Sequence, residues 1–439
     1  MNRRSFIRWC AIGASGLALA PLHADDKRRK NPGTPSLANT GITNRKVVVV
    51  GGGMAGATVA KYLRLWGGSG LDVTLVEKNP TYVSNIMSNL VLSGGRAMTS
   101  LNYGYSALSS KYGVKIKSGT VTAVNSSAKT VTLADGSTLA YDRLVLAPGI
   151  RFDDAYGLTQ ADYAGEFPHA WQAGPQTQKL RDQVAAMRSG ETFVMTIPAK
   201  PFRCPPGPYE RACLVADYLK TSGKTGCKVV ILDENPAIQA EPHNFGIAFT
   251  QTHAGIIDYR PGVGGIQVDK LNRSVSFSQA GVPQILNARV INVIPPHRAG
   301  VITDLAGVNN AGAGRWAGVD VLSYESTAVP GIHIIGDASS TPQPKAGHVA
   351  NQEAKVCADA IVRAFLGLSP DPAPVTNSAC YSPITASTAS WLTVVYQYDG
   401  VAKTMVPAKG HPVEAASINR DNFSEMNTWF KTLMEDSFA

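Results

Sequence analysis

Two groups of residues in this chain could carry chemistry: a glycine cluster near residue 50, and the cysteines. Gly51-Gly52-Gly53-Met54-Ala55-Gly56 is a complete G-x-G-x-x-G. In that spacing Gly51 permits a tight turn and Gly53 lets the backbone approach a pyrophosphate. Gly56 lets a helix pack closely on a strand, and the helix that Met54 and Ala55 begin turns its positive end to the phosphates. Glu77, followed by Lys78, stands where an acidic side chain accepts hydrogen bonds from an adenosine ribose. Five cysteines follow residue 24, namely Cys204, Cys213, Cys227, Cys357 and Cys380, so at least one remains a thiol. Of these, Cys213, Cys227 and Cys357 fall in apolar settings and are expected in the core. No Cys-x-x-Cys-His is present to attach a c-type haem.

The elements that must position these residues are legible as patterns. Lys46-Val47-Val48-Val49-Val50 reads as a buried parallel strand, followed by a helix carrying Val59, Tyr62 and Leu63 on one side. Leu71 to Glu77 is the next strand. A hairpin is expected around Asp135-Gly136. It leads into the buried strand Tyr141 to Leu146, which ends in Ala147-Pro148-Gly149. Gly331-Ile332-His333-Ile334-Ile335 is a further short buried strand, ending in Gly336-Asp337. This ordered set resembles the FAD-dependent pyridine-nucleotide-disulfide-reductase superfamily. The resemblance implies FAD, with Ala147-Pro148-Gly149 as the mid-chain glycine motif and Asp337 on the ribityl chain. A helical pattern over residues 349–366 follows Pro344-Lys345-Ala346-Gly347-His348. Its start would aim N–H groups toward the flavin pyrimidine ring. Lys345 is read either as a cation beside the reduced flavin or as a solvated loop lysine.

A second strand–helix–strand unit spans Thr192 to Asp233. The turn where nicotinamide readers carry a second glycine motif here holds Pro201, Pro205, Pro206 and Pro208 and a single glycine, Gly207. Such a turn makes no flexible phosphate cradle, so NADH is not expected as a substrate. The expected fold is α/β: two Rossmann-like dinucleotide-binding-fold domains plus a C-terminal α+β domain. The first would comprise residues 45–160 and 290–365, the second residues 161–289, and the third residues 366–439.

The loop Pro201-Phe202-Arg203-Cys204-Pro205-Pro206-Gly207-Pro208-Tyr209-Glu210-Arg211-Ala212 resembles that of flavocytochrome c sulfide dehydrogenase, flavoprotein subunit. So do Pro168-His169-Ala170-Trp171-Gln172-Ala173-Gly174, Ile294-Pro295-Pro296-His297-Arg298-Ala299-Gly300 and Ala379-Cys380-Tyr381-Ser382. The resemblance runs from about Arg45 to the C-terminus. It implies that Cys204 and Cys380 are a redox-active pair, that hydrosulfide attacks their disulfide, and that electrons pass through FAD to a c-type cytochrome subunit. A purely structural staple is the plainer reading of the two cysteines. Asn85 occupies the position of the family's flavin-linking cysteine, so FAD is expected to be non-covalent. A sulfide:quinone oxidoreductase is the first alternative; it needs an exposed apolar C-terminal face. Phe423, Met426, Trp429, Phe430 and Met434 form an apolar stripe there, but core packing is the commoner use of one. An FAD-binding accessory subunit of a sulfur-oxidising system is the second. A dithiol reductase driven by NADH conflicts with the proline-filled turn.

Arg3-Arg4-Ser5-Phe6-Ile7, the weakly apolar stretch to Pro21, and Ala24 read as a twin-arginine signal over residues 1–24, placing the protein in a bacterial periplasm. Loss of Arg3, Arg4 and Arg8 lowers the formal charge of +9 to +6. The basic run Lys27 to Lys30 then lies in a tether over residues 25–44, which argues against a nucleic-acid surface. No apolar run has the roughly 18–20 residues that span a bilayer.

Overall fold

The computed structural model describes residues 37–439, so the twin-arginine pattern and the basic run lie outside the described residues. The valine run forms β1 (Arg45–Val50), whose last four residues are buried. Helix α1 (Met54–Gly67) follows, with small residues Gly56, Ala57 and Ala60 in contact with the core. Next come β2 (Leu71–Glu77), β3 (Thr81–Val83), α2 (Asn89–Leu92), β4 (Asn102–Gly104) and β5 (Lys115–Ser118). The hairpin expected around Asp135-Gly136 is present as strands Thr130–Leu133 and Thr138–Ala140. Strand β6 (Arg143–Leu146) then enters the main sheet, and β7 (Ile150–Phe152) leaves it.

The second unit contains β8 (Thr192–Ile197), α3 (Gly207–Thr221), β9 (Lys228–Asp233), α4 (Pro242–Ile247), β10 (Ile257–Pro261) and β11 (Val290–Val293). Its parallel sheet has the order β10-β9-β8-β11. Strand β11 pairs with β8, so residues 290–293 belong to this sheet and not to the resumed first fold, as the sequence had suggested. Val290-Ile291-Asn292-Val293 is buried on both faces, which suits a parallel strand between helices. Only beyond it does β12 (His297–Ala299) return, pairing antiparallel with β7.

Strand β13 (Ile332–Ile334) completes a parallel array of order β13-β6-β1-β2-β5. The connection reverses direction between β1 and β6, and ligands bind outside the carboxyl ends of strands at such a switch point. Gly51, Ala147-Pro148-Gly149 and Gly336-Asp337 all follow the carboxyl ends of neighbouring strands, so topology gathers the three motifs at one edge.

Helix α5 (Gly347–Phe365) buries Val349, Ala350, Ala354, Cys357, Ala358 and Ile361 and lies against α1. The remainder is an antiparallel sheet of β14 (Val375–Pro383), β15 (Ala389–Asp399), β16 (Thr404–Pro407) and β17 (Val413–Glu414), closed by α6 (Arg420–Phe438). Asn419 caps α6 by accepting from the Asn422 N–H at 2.8 Å. The stripe on α6 faces inward: Met426, Phe430 and Met434 are buried, with Phe423 and Trp429 packed beside them. Cys213, Cys227 and Cys357 are buried too.

Candidate active site

The first glycine turn works by close backbone approach. A Cβ on Gly51 would lie 2.4 Å from the Ala147 carbonyl oxygen, and one on Gly56 would lie 1.7 Å from the Gly51 oxygen. Gly53 differs, since a Cβ there would meet nothing nearer than a Tyr82 ring carbon at 3.8 Å. That open space lies where a pyrophosphate would run over the start of α1, with Met54 and Ala55 buried beneath it. Glu77 accepts from the Gly52 N–H at 2.7 Å and from Asn79, fixing the carboxylate at the end of β2; Lys78 beside it is exposed.

Gly336 and Asp337 follow β13. Buried Glu353 of α5 accepts from the Gly336 N–H at 2.6 Å, and burial raises its pKa to about 8. Lys345 donates to the carbonyls of Asp337 and Ser339, each at 2.8 Å, and sits 3.8 Å over the Trp316 ring. The ammonium closes the aspartate turn, so Lys345 is not the solvated loop lysine of the plainer sequence reading. Burial brings its pKa down to about 8. At the start of α5, a Cβ on Gly347 would strike Ile86 at 2.7 Å. His348 accepts from the Ala379 N–H at 3.0 Å as a neutral imidazole, burial holding its pKa near 4. Asn85 accepts from the Ala173 N–H at 2.7 Å, tying the segment after β3 to the 168–174 loop.

These residues fit FAD. The glycine cradle, the acid at the end of β2 and the partly buried aspartate after β13 stand in one crevice, in the arrangement a dinucleotide requires.

The cysteine loop is attached to that crevice through its main chain. Cys204 adopts left-handed geometry (φ +58°), donates its N–H to the Lys345 oxygen at 2.7 Å, and accepts from the Gly207 N–H at 2.9 Å. A Cβ on Gly207 would lie 2.9 Å from the Cys204 sulfur, so glycine leaves room for the thiol over the start of α3. Arg203 pairs with Asp337 at 3.7 Å and donates to the Trp171 carbonyl. Cys380 sits in β14 opposite Leu392. Both cysteines are free thiols here and partly accessible as residues. Burial drives the Cys204 pKa far up, helped by Glu210 and by Cys380; it pushes Cys380 up to about 12, helped by Glu241. The charge of Cys380 is thus felt at Cys204.

Several neighbours were missed by the sequence reading. Glu210, one turn into α3, bonds to the Asn89 amide at 2.8 Å, and burial lifts its pKa to about 8. Asn89 also donates to the Gly207 carbonyl at 3.1 Å and accepts from Arg211 at 3.0 Å. Fully buried Arg211 holds the 168–174 loop through the His169 and Ala170 carbonyls and stacks over Trp171 at 4.6 Å. The signal available was Glu210-Arg211 within the unusual cysteine loop, but such a pair on a helix is ordinarily solvated.

The second dinucleotide fold is filled by its own side chains. Asp233 ends β9, where a nicotinamide reader would offer an acid to the ribose. Here it is fully buried and accepts from the Tyr209 hydroxyl at 2.8 Å, from Tyr259 at 3.0 Å and from Asn235 at 2.9 Å.

Three family profiles match the chain. Residues 45–183 match pyridine nucleotide-disulphide oxidoreductase. Residues 177–295 match the central domain of the sulfide dehydrogenase (flavocytochrome c) flavoprotein chain, and residues 372–438 its flavin-binding domain. A probable ferredoxin reductase of Castellaniella defragrans is 36% identical over 111 residues, 25% of this chain and 27% of that protein. The ferredoxin–NAD(+) reductase component of the p-cumate 2,3-dioxygenase system of Pseudomonas putida is 26% identical over 68% of each chain. The sulfide:quinone oxidoreductase structure from Aquifex aeolicus superposes with TM-score 0.71 at 17% identity, over 89% of this chain and 92% of that one. The last likeness is one of fold.

Proposed function

Because the chain belongs to the flavocytochrome c sulfide dehydrogenase flavoprotein family, and is an FAD-dependent oxidoreductase, we propose that it oxidises sulfide at Cys204 and Cys380 and passes the electrons to a c-type cytochrome. The observation that carries this reading is the bond from the Cys204 N–H to the Lys345 carbonyl, beside the Arg203–Asp337 pair. It fixes the thiol to the segment that would hold the flavin. Bound FAD would supply a two-electron acceptor there, held by the Gly51–Gly56 turn, Glu77, Asp337 and the start of α5.

The chain's own part begins with thiol–disulfide exchange. Hydrosulfide attacks one sulfur of the oxidised Cys204–Cys380 pair; an S–S bond forms to the incoming sulfur and the Cys–Cys bond breaks. One cysteine becomes a persulfide and the other leaves as a thiolate. Both sites raise the cost of a thiolate, so the leaving sulfur needs a proton donor until its electron pair moves on. Glu210, protonated below about pH 8 and coupled electrostatically to Cys204, is the proposed donor of that proton. Asn85 can form no thioether, which supports dissociable FAD. The inward-facing stripe of α6 speaks against the membrane-facing quinone reading, and no helix among the described residues is long and apolar enough to cross a membrane. Export to the periplasm rests on the twin-arginine pattern alone.

Anaerobic titration with sulfide, following flavin absorbance, tests the proposal. The wild type should bleach and Cys204→Ser should not. Bleaching unchanged by the substitution would refute the cysteine mechanism, and no bleaching would refute sulfide as donor. Heat-denatured protein should release its FAD into the supernatant; yellow colour retained on the precipitate would refute non-covalent binding.

A further inference from the structure

The hydrogen bonds around Glu210 have a fixed direction. Arg211 carries only donors, so the Asn89 atom that meets its Nε at 3.0 Å is the amide oxygen. The amide nitrogen must then face the other way. It donates to Glu210 Oε1 at 2.8 Å and to the Gly207 carbonyl at 3.1 Å, which uses both of its hydrogens. Asn89, Glu210 and Arg211 are all buried, so little water competes for these bonds. The Gly207 N–H in turn donates to the Cys204 carbonyl at 2.9 Å. One side chain on α2 therefore ties the acid of α3 to the turn that carries the cysteine.

Arg211 is a buried cation bonded only to uncharged oxygens. Besides Asn89 it reaches the His169 carbonyl at 2.7 Å, the Ala170 carbonyl at 2.6 Å and Asn292 Oδ1 at 2.8 Å. Asn292 is locked in the same way, since its amide nitrogen donates to the Pro168 carbonyl at 2.7 Å. A guanidinium this deep ordinarily has a counter-ion. Here the hydrogen-bonded path from it leads through Asn89 to one carboxyl, that of Glu210. The ionisable groups facing Glu210 are Arg211 and Cys213 on α3, Cys204 on the loop, Cys380 on β14 and Glu241 before α4. Arg211 is the single cation among them.

We infer that Asn89 and Arg211 are positioning residues that hold the negative charge of Glu210 once it has given up its proton. The inference rests on the proposed role of Glu210 as donor to the leaving sulfur. In that step the Glu210 O–H bond breaks and an S–H bond forms on the leaving cysteine; no electrons move. The proton belongs on Oε2, because Oε1 accepts from Asn89 in either state. The charge left on the carboxylate meets an amide dipole that cannot turn away, since a guanidinium grips its oxygen. Bonds in such a chain strengthen one another when charge appears at its end. Burial pushes the Glu210 pKa up, and the Asn89 bond is the largest influence holding it down, with Arg211 adding to it.

The test is an infrared pH titration of the FAD-loaded full chain without sulfide. The carboxylic-acid band that Glu210→Gln lacks belongs to Glu210. In the wild type it should fade with a midpoint at about pH 8. In Asn89→Ala the midpoint should rise by about one pH unit, roughly a tenfold gain in proton affinity. The pH inflection of sulfide-driven bleaching should rise with it. A midpoint that stays in place while Tm falls would make Asn89 a fastener only and overturn the inference. Should Asn89→Ala not fold, the wild type suffices: the Asn89 side-chain amide proton should move downfield in NMR spectra as Glu210 ionises. An amide signal that does not titrate overturns the inference as well. A midpoint raised in Asn89→Ala, in a protein whose bleaching is as fast in Glu210→Gln as in the wild type, keeps the charge-holding pair and removes the donor reading.

Discussion

Cys204 and Cys380 illustrate what a single residue position discloses. Both were reached through the family resemblance, Cys204 by the unusual proline-filled loop around it and Cys380 by the segment Ala379-Cys380-Tyr381-Ser382. Glu210 and Glu241 were not, because glutamate is usually solvated and only tertiary packing buries these two. Their burial makes them testable. Glu210 is the acid form below about pH 8, so protonation of the leaving thiolate should slow as pH rises through that value. Glu210→Gln should lower the rate of sulfide-driven bleaching by about 100-fold and flatten that inflection, as read by stopped-flow absorbance. A variant that keeps the wild-type profile would remove Glu210 from the chemistry.

At the scale of elements, the strand–turn–helix units were plain because their signals are local. Valine runs, glycine spacing and the Asp135-Gly136 hairpin each specify structure within about ten residues. The edge of the second sheet was harder: β11 declares its sheet only by pairing with β8, nearly 100 residues away. The glycines of the first turn should separate by role. Gly56→Ala pushes a Cβ into the Gly51 carbonyl, so it should lower both Tm and FAD content. Gly53→Ala meets open space in the protein alone, so it should lower FAD content while leaving the Tm of FAD-free protein within a degree or two. Equal Tm losses would contradict that division. Helix α6 offers a third case. Lys61 of α1 donates to the carbonyls of Glu435, Asp436 and Ala439, closing the free end of the helix. Lys61→Met should cost about 1–2 kcal/mol in urea unfolding, since part-buried backbone oxygens at the end of α6 lose a charged donor.

For the whole molecule, buried ionisable groups set the pH range of stability. Glu210, Glu241 and Glu353 have pKa values raised by burial from 4.5 to about 8, 7 and 8. The stability they allow is complete below 4.5 and is lost as pH rises through 7 to 8. His169, His253, His297, His333 and His348 are lowered from 6.5 by burial, so the stability tied to them is complete above 6.5 and is lost as pH falls. Five descending groups on the acid side meet three on the alkaline side, and Tm should peak near pH 6.5. Glu353→Gln should remove part of the alkaline decline in a thermal scan; an unchanged slope from pH 6.5 to 9 would rule out its share.

The bond between the Cys204 N–H and the Lys345 oxygen joins main chain to main chain. Neither end depends on a side chain, so the scaffold sets the position of residue 204 whatever its chemical identity. The loop is a socket. A serine, a selenocysteine or a synthetic thiol installed there would inherit the same address beside the Gly336-Asp337 turn, and the two nucleotide folds would carry a new reactive group without being redesigned.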